Sequence, residues 1–131
     1  MAATTRTISI VTPWLGASEL VPVYEKSVAG AQAVVVDNGS EWFHAQKIHR
    51  MVNRLEGVYI RNETNCLFAH ANNQGLAQAT GEIVVFMNND VECRSEFLEK
   101  VERVVQPGAI YGPSKLSKYG VDYLEGWCIA A

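Results

Sequence analysis

The sequence predicts an α/β domain built on a mostly parallel sheet flanked by helices. Three observations predict it. Four apolar, largely β-branched runs recur along the chain, a helix-spaced apolar pattern follows each of them, and short polar residues gather where the runs end. At 131 residues the chain fits one domain, residues 1–131, and a domain of this length buries about two-thirds of its unfolded surface.

The first run is Ile8-Ser9-Ile10-Val11, broken at Pro13 and Gly16. Leu20, Val23, Tyr24, Ser27 and Val28 then fall at helical spacing, with Ser18 as the expected cap and Gly30 as the stop. Ala33-Val34-Val35-Val36 is the second run. It ends in Asp37-Asn38-Gly39-Ser40, and Ala45, Ile48, Val52 and Leu55 make the next helical stripe. Val58-Tyr59-Ile60 is a short third strand, followed by a helix through Phe68, Ala71, Gly75, Leu76 and Ala79. Ile83 to Met87 reads as the best buried strand. A turn at 88–90 and a helix carrying Phe97, Leu98, Val101, Val104 and Val105 follow it, and Gln106-Pro107-Gly108 stops that helix. Beyond this the pattern fades into two extended pieces, 109–111 and 121–124, with no final helix.

Strands alternating with helices imply right-handed crossovers, so all four strand tips share one edge. Ligands of such sheets sit outside the carboxyl ends of the strands. There the sequence places Thr12, Asp37, Asn38, Asn62, Asn88, Asn89 and Asp90, a polar crevice.

Several function classes are disfavoured. A formal net charge of -3 offers no basic field for a row of phosphates, so nucleic acid is not an expected partner. Three cysteines, far apart and outside any CxxC pair, give neither a disulfide framework nor a zinc site, and the expected compartment is the reducing cytoplasm. The longest purely aliphatic or aromatic run, Ile83 to Met87, is far too short to span a bilayer. Neither G-x-G-x-x-G nor G-x-x-x-x-G-K-[ST] occurs, which argues against dinucleotide enzymes and P-loop ATPases.

Within the crevice, an ionised Asp37 can accept the ring N–H of a base, while Gly39 lets the backbone turn tightly beside it. The same tetrapeptide also serves as an ordinary turn or helix cap. Asn88-Asn89-Asp90 brings one carboxylate and two amides after an apolar strand. Mg²⁺ and Mn²⁺ take oxygen ligands and often use one or two protein carboxylates, with phosphate and water completing the octahedron. Asp90 is the preferred ligand, and an ordinary polar turn is the alternative. Without a glycine-rich cradle, a diphosphate here would depend on such a cation. His44, His49 and His70 have no acidic or cysteine partner at ligand spacing and receive no role. The three tryptophans read as core residues by default, although Trp127 beside Gly126 also suits stacking on a sugar.

Taken in order, Ile8 to Pro13, Val34 to Ser40 and Val84 to Val91 resemble family-2 glycosyltransferases of the GT-A fold, whose sheet is Rossmann-like. Asn65 to Gly75 is similar to that family's N-x-G-F-A-x-A-x-N-x-G segment, with Leu67 in place of its glycine. The stretch Val121 to Cys128, with Glu125-Gly126-Trp127, is similar to the segment before the acceptor site.

The resemblance implies that Pro13 and Asp37 line the base, with Thr12 and Asn38 beside them, and that Asn65 lies near the nucleotide. It implies that Asn89 and Asp90 occupy the family's DXD-type metal position, with Asn88 where its first acid stands. The expected activity is metal-dependent transfer of a sugar from a nucleotide-sugar donor, UDP-sugar first, to the hydroxyl of a glycan or other acceptor. Mn²⁺ or Mg²⁺ is the expected cofactor. A general base is needed near that hydroxyl, and Asp122 and Glu125 are the late carboxylates available. The rival readings are a donor-binding module that takes acceptor and base from a partner chain, and a receiver-like regulatory domain with Asp37 as its acid. The sequence leaves homo-oligomerisation open.

Overall fold

The structure of the chain is a computed structural model that describes residues 6–112, 115–118, 121–124 and 128–130. As far as Val104 it repeats a strand and a helix: β1 (Ile8–Trp14), α1 (Val21–Val28), β2 (Gln32–Asp37), α2 (Trp42–Arg54), β3 (Val58–Arg61), α3 (Leu67–Gln78), β4 (Ile83–Met87) and α4 (Phe97–Val104). Three short strands follow, β5 (Lys115–Lys118), β6 (Val121–Leu124) and β7 (Cys128–Ala130). The main sheet has the order β3-β2-β1-β4-β7, and β5 and β6 form an antiparallel pair of their own.

β1 to β4 are mutually parallel, so their carboxyl ends lie along one edge as the alternation demands. β7 pairs antiparallel with β4, Cys128 opposite Met87. That strand has no counterpart in the sequence reading. β1 also runs through Pro13 to Trp14, past the expected break. Its pairing with β4 ends at Val11, so on that side Pro13 has no ladder position to spoil.

One face of the sheet is covered by α1, α2 and α4 over a core of Ile10, Trp14, Tyr24, Val35, Ile48, Met51, Val85 and Val101. Trp14 meets Tyr24 edge-on with ring centroids 5.0 Å apart, and the Tyr24 hydroxyl donates to Thr12 Oγ1 at 2.6 Å. α3 packs on the other face, against β1, β2 and β3. It approaches so closely that a Cβ on Gly75 would run into Val11 Cγ1 and lie 3.4 Å from Val36 Cγ2. Glycine is therefore a packing requirement here. Gly75→Ala should destabilise the chain by about 1–3 kcal/mol through overpacking, measured as a lower urea midpoint at unchanged slope.

Several expected burial patterns shift. Ser18 lies in a 3-10 turn (Ser18–Leu20) rather than capping α1, and its hydroxyl pairs with His44 Nδ1 at 2.7 Å. Val23, Phe68, Leu76 and Val104 face outward, while Met51 and Asn72 face inward. Ile110 is exposed and Tyr111 makes only an isolated bridge, so the strand expected at 109–111 does not form. No described helix is long and apolar enough to cross a membrane.

Candidate functional site

β2, β1 and β4 lie side by side, so the loops after Asp37, Trp14 and Met87 open on the same edge. Two strand spacings separate the ends of β2 and β4, which sets Asp37 and the 88–90 turn about 10 Å apart across β1. The helices α2 and α3 start from this edge as well, their first turns following β2 and β3.

Asp37 has no exposed surface. Its Oδ1 accepts the Ser40 N–H at 2.8 Å, and its Oδ2 accepts the Tyr59 hydroxyl at 2.5 Å and the Arg61 guanidinium at 3.1 Å. Arg61 also donates to the Ser40 carbonyl at 2.9 Å. The parallel register makes this possible: Asp37 pairs with Arg61 and Val35 with Tyr59, so all three polar side chains share a face. Burial, and then the carboxylate beside it, push the Tyr59 hydroxyl far above the usual tyrosine range. His49 stacks on the Tyr59 ring at 4.2 Å and fixes it from outside. In this conformation Asp37 clamps β2, β3 and the turn together.

Asn38 is 5% exposed and anchors a second network, in which its Oδ1 accepts from Asn62 Nδ2 and from Cys66 Sγ, both at 3.0 Å. Its own Nδ2 donates to the Leu67 carbonyl at 3.4 Å. Asn62 and Gln74 exchange a reciprocal amide pair at 2.7 and 2.9 Å. The 62–66 loop is thereby pulled over the turn at Gly39, whose φ of 95° suits glycine and whose missing Cβ would lie 3.0 Å from the Glu63 carbonyl oxygen. Asn65 is exposed, and its Oδ1 accepts the Leu67 N–H at 2.8 Å.

The remaining expected residues divide clearly. The Thr12 hydroxyl is buried under Tyr24, which leaves only its backbone for a ligand. Pro13 is half-buried between the Asp37 and 88–90 loops. Asn88 and Asn89 are half-buried and Asp90 is exposed, and among the described residues no side chain hydrogen-bonds to the three. No cluster of three or more His, Cys, Asp or Glu side chains occurs among the described residues. A donor set of one free carboxylate and two amides fits a hard cation that draws its other ligands from phosphate and water. Asp122 lies in β6 opposite Ser117, whereas Glu125, Gly126 and Trp127 fall outside the described residues. Trp42, read as core, is 71% exposed at the start of α2.

Sequence reasoning missed Ser40, Tyr59, Arg61, Cys66 and Gln74. The amides at 62 and 74 stand 12 residues apart across a loop, a separation with no periodic signature.

Comparison with known proteins places the family and the fold. The family model described as Glycosyl transferase family 2 matches residues 17–125. In fold the chain is similar to a mannosyltransferase, PcManGT from Pyrobaculum calidifontis, solved in complex with GDP-Man and Mn2+: TM-score 0.75 and 17% identity, covering 98% of this chain and 45% of that one. It is also similar to S. aureus TarS in a structure of residues 1–349, with a TM-score of 0.64 and 25% identity, covering 72% of this chain and 30% of that one. The chain thus spans less than half the length of these structures. No curated protein matches it.

Proposed function

The chain belongs to glycosyl transferase family 2, and on that premise we propose that it holds a nucleotide sugar along the carboxyl edge of its GT-A-type sheet for transfer to an acceptor hydroxyl. The observation that carries this reading is the edge itself, where a hydrogen-bonded wall at Asn38 and Asn62 lies across β1 from the Asn88-Asn89-Asp90 turn, to which no described side chain hydrogen-bonds.

Each side of the crevice takes one part of the donor. The wall at Pro13, Asn38 and Asn65 receives the nucleoside, and Asp37 supports that wall from behind through Tyr59, Arg61 and Ser40. At the 88–90 turn Asp90 is the residue to hold Mn²⁺ or Mg²⁺, with Asn88 and Asn89 orienting diphosphate oxygens. When bound, the cation neutralises charge that builds on the departing diphosphate. The amides add neutral hydrogen bonds without further negative charge, an advantage beside a diphosphate. The acceptor hydroxyl needs a base, a role assigned to Glu125 or Asp122, and acceptor binding is assigned to Gly126 and Trp127.

UDP-sugar is the first donor to test. A ligand that binds only the native state stabilises it by mass action, by about 2.7 kcal/mol at a hundredfold excess over Kd. For a chain of this size that raises the melting temperature by roughly 5–10 °C. Differential scanning fluorimetry with UDP, GDP and dTDP sugars, each with and without Mn²⁺, reads the effect. A flat response across the panel would refute donor binding.

A further inference from the structure

Leu67 stands in the crevice wall at a position where the backbone favours glycine. Its φ is 68°, in the left-handed region that a Cβ makes unfavourable, and a branched, bulky side chain there is rare. The fold gives it little packing in return, because Leu67 is 71% exposed. Two hydrogen bonds hold it in place, from Asn38 Nδ2 to its carbonyl and from its N–H to Asn65 Oδ1. Both partners belong to the wall assigned to the nucleoside. A strained residue held this way at a ligand-facing edge is characteristic of sites where conformation serves function.

The surrounding chemistry indicates what the side chain does. The polar groups of the wall, Asn38, Asn62, Asn65 and Cys66, are bonded to one another, to Gln74 and to Leu67 itself, so they hold the wall in place but supply no apolar cover for the broad face of a heterocycle. Leu67 is the exposed aliphatic group bonded into that wall, with Phe68, 52% exposed, following it. Glycine would relieve the backbone and leave the face of the ring open to water.

We propose that Leu67 is a donor-binding residue whose side chain covers the face of the nucleobase, at a standing cost in backbone strain. This rests on the reading of the crevice as a nucleotide-sugar site. It makes stability and binding move in opposite directions when the side chain is removed.

The test uses the 131-residue chain and the nucleotide sugar that shifts its melting temperature most, with Mn²⁺ present. Melting temperature without ligand and Kd by calorimetry are measured for L67G, L67A and L67M. L67G should melt about 3 °C higher than the parent, because strain is released. Its Kd should weaken roughly fivefold for loss of apolar cover. L67A keeps a Cβ in the strained backbone, so its melting temperature should stay within about 1 °C of the parent while Kd weakens to a similar degree. L67M should restore near-parental binding. Parental affinity in either L67G or L67A overturns the contact, and a melting temperature for L67G no higher than the parent overturns the strain. Should the unsubstituted chain bind none of the sugars, the donor reading fails first and this proposal with it.

Discussion

Asp37→Ala is expected to lower the melting temperature by roughly 10 °C in the absence of any ligand. The carboxylate is fully buried and accepts from the Ser40 N–H, the Tyr59 hydroxyl and the Arg61 guanidinium. Removing it leaves buried donors without an acceptor, and each such loss costs about 1–3 kcal/mol. The Arg61 side chain is 40% exposed and regains water, so its share is at the low end. A total near 3 kcal/mol follows, and a domain of this size loses about 3–4 °C per kcal/mol. Asp37→Asn keeps the shape and one carbonyl acceptor, and should fall about midway. Thermal denaturation followed by circular dichroism decides it. A loss of less than about 2 °C for the alanine variant would mean that the clamp contributes little to the fold.

The second large effect is on function and leaves stability alone. Asp90 is exposed, and no described side chain hydrogen-bonds to it, so Asp90→Ala should melt within about 1 °C of the parent. The same substitution should erase the Mn²⁺-dependent part of donor stabilisation and cut sugar transfer at least ~100-fold, the scale seen when one stabiliser of a developing negative charge is removed. Manganese titration with donor present, and transfer measured with a radiolabelled sugar, test both statements. An Asp90→Ala chain that still responds to Mn²⁺ as the parent does would move the cation elsewhere. The two aspartates are thus separated by experiment: one fails without ligand, the other only with it.

The contrast shows what the sequence makes visible. Four strand-helix units and the edge on which their tips converge follow from local periodicity, and Val34 to Val36 or Ile83 to Met87 leave little choice of state. The tip residues were legible for the same reason, being the first polar groups after each apolar run. Their partners were not. Tyr59 and Arg61 reach Asp37 because β3 pairs in parallel with β2 at one register, a fact of the sheet and absent from either segment alone. On α3 the expected stripe is right at Ala71 and Gly75, which are buried, and wrong at Phe68 and Leu76, which are exposed. The bare backbone of Gly75 seats against Val11, and with that face inward Asn72 is buried beside Ala71. β7 went unseen because three residues, Cys128 to Ala130, carry too little pattern to distinguish a strand from a tail.

The hydrogen-bonded patch formed by Asn38, Asn62 and Gln74 has a bearing on how the crevice responds to its surroundings. Carboxamides neither ionise in the physiological range nor attract counterions, so acidity and ionic strength have almost no lever on the amide contacts themselves. Variation of nucleotide affinity with buffer should therefore originate outside this amide patch.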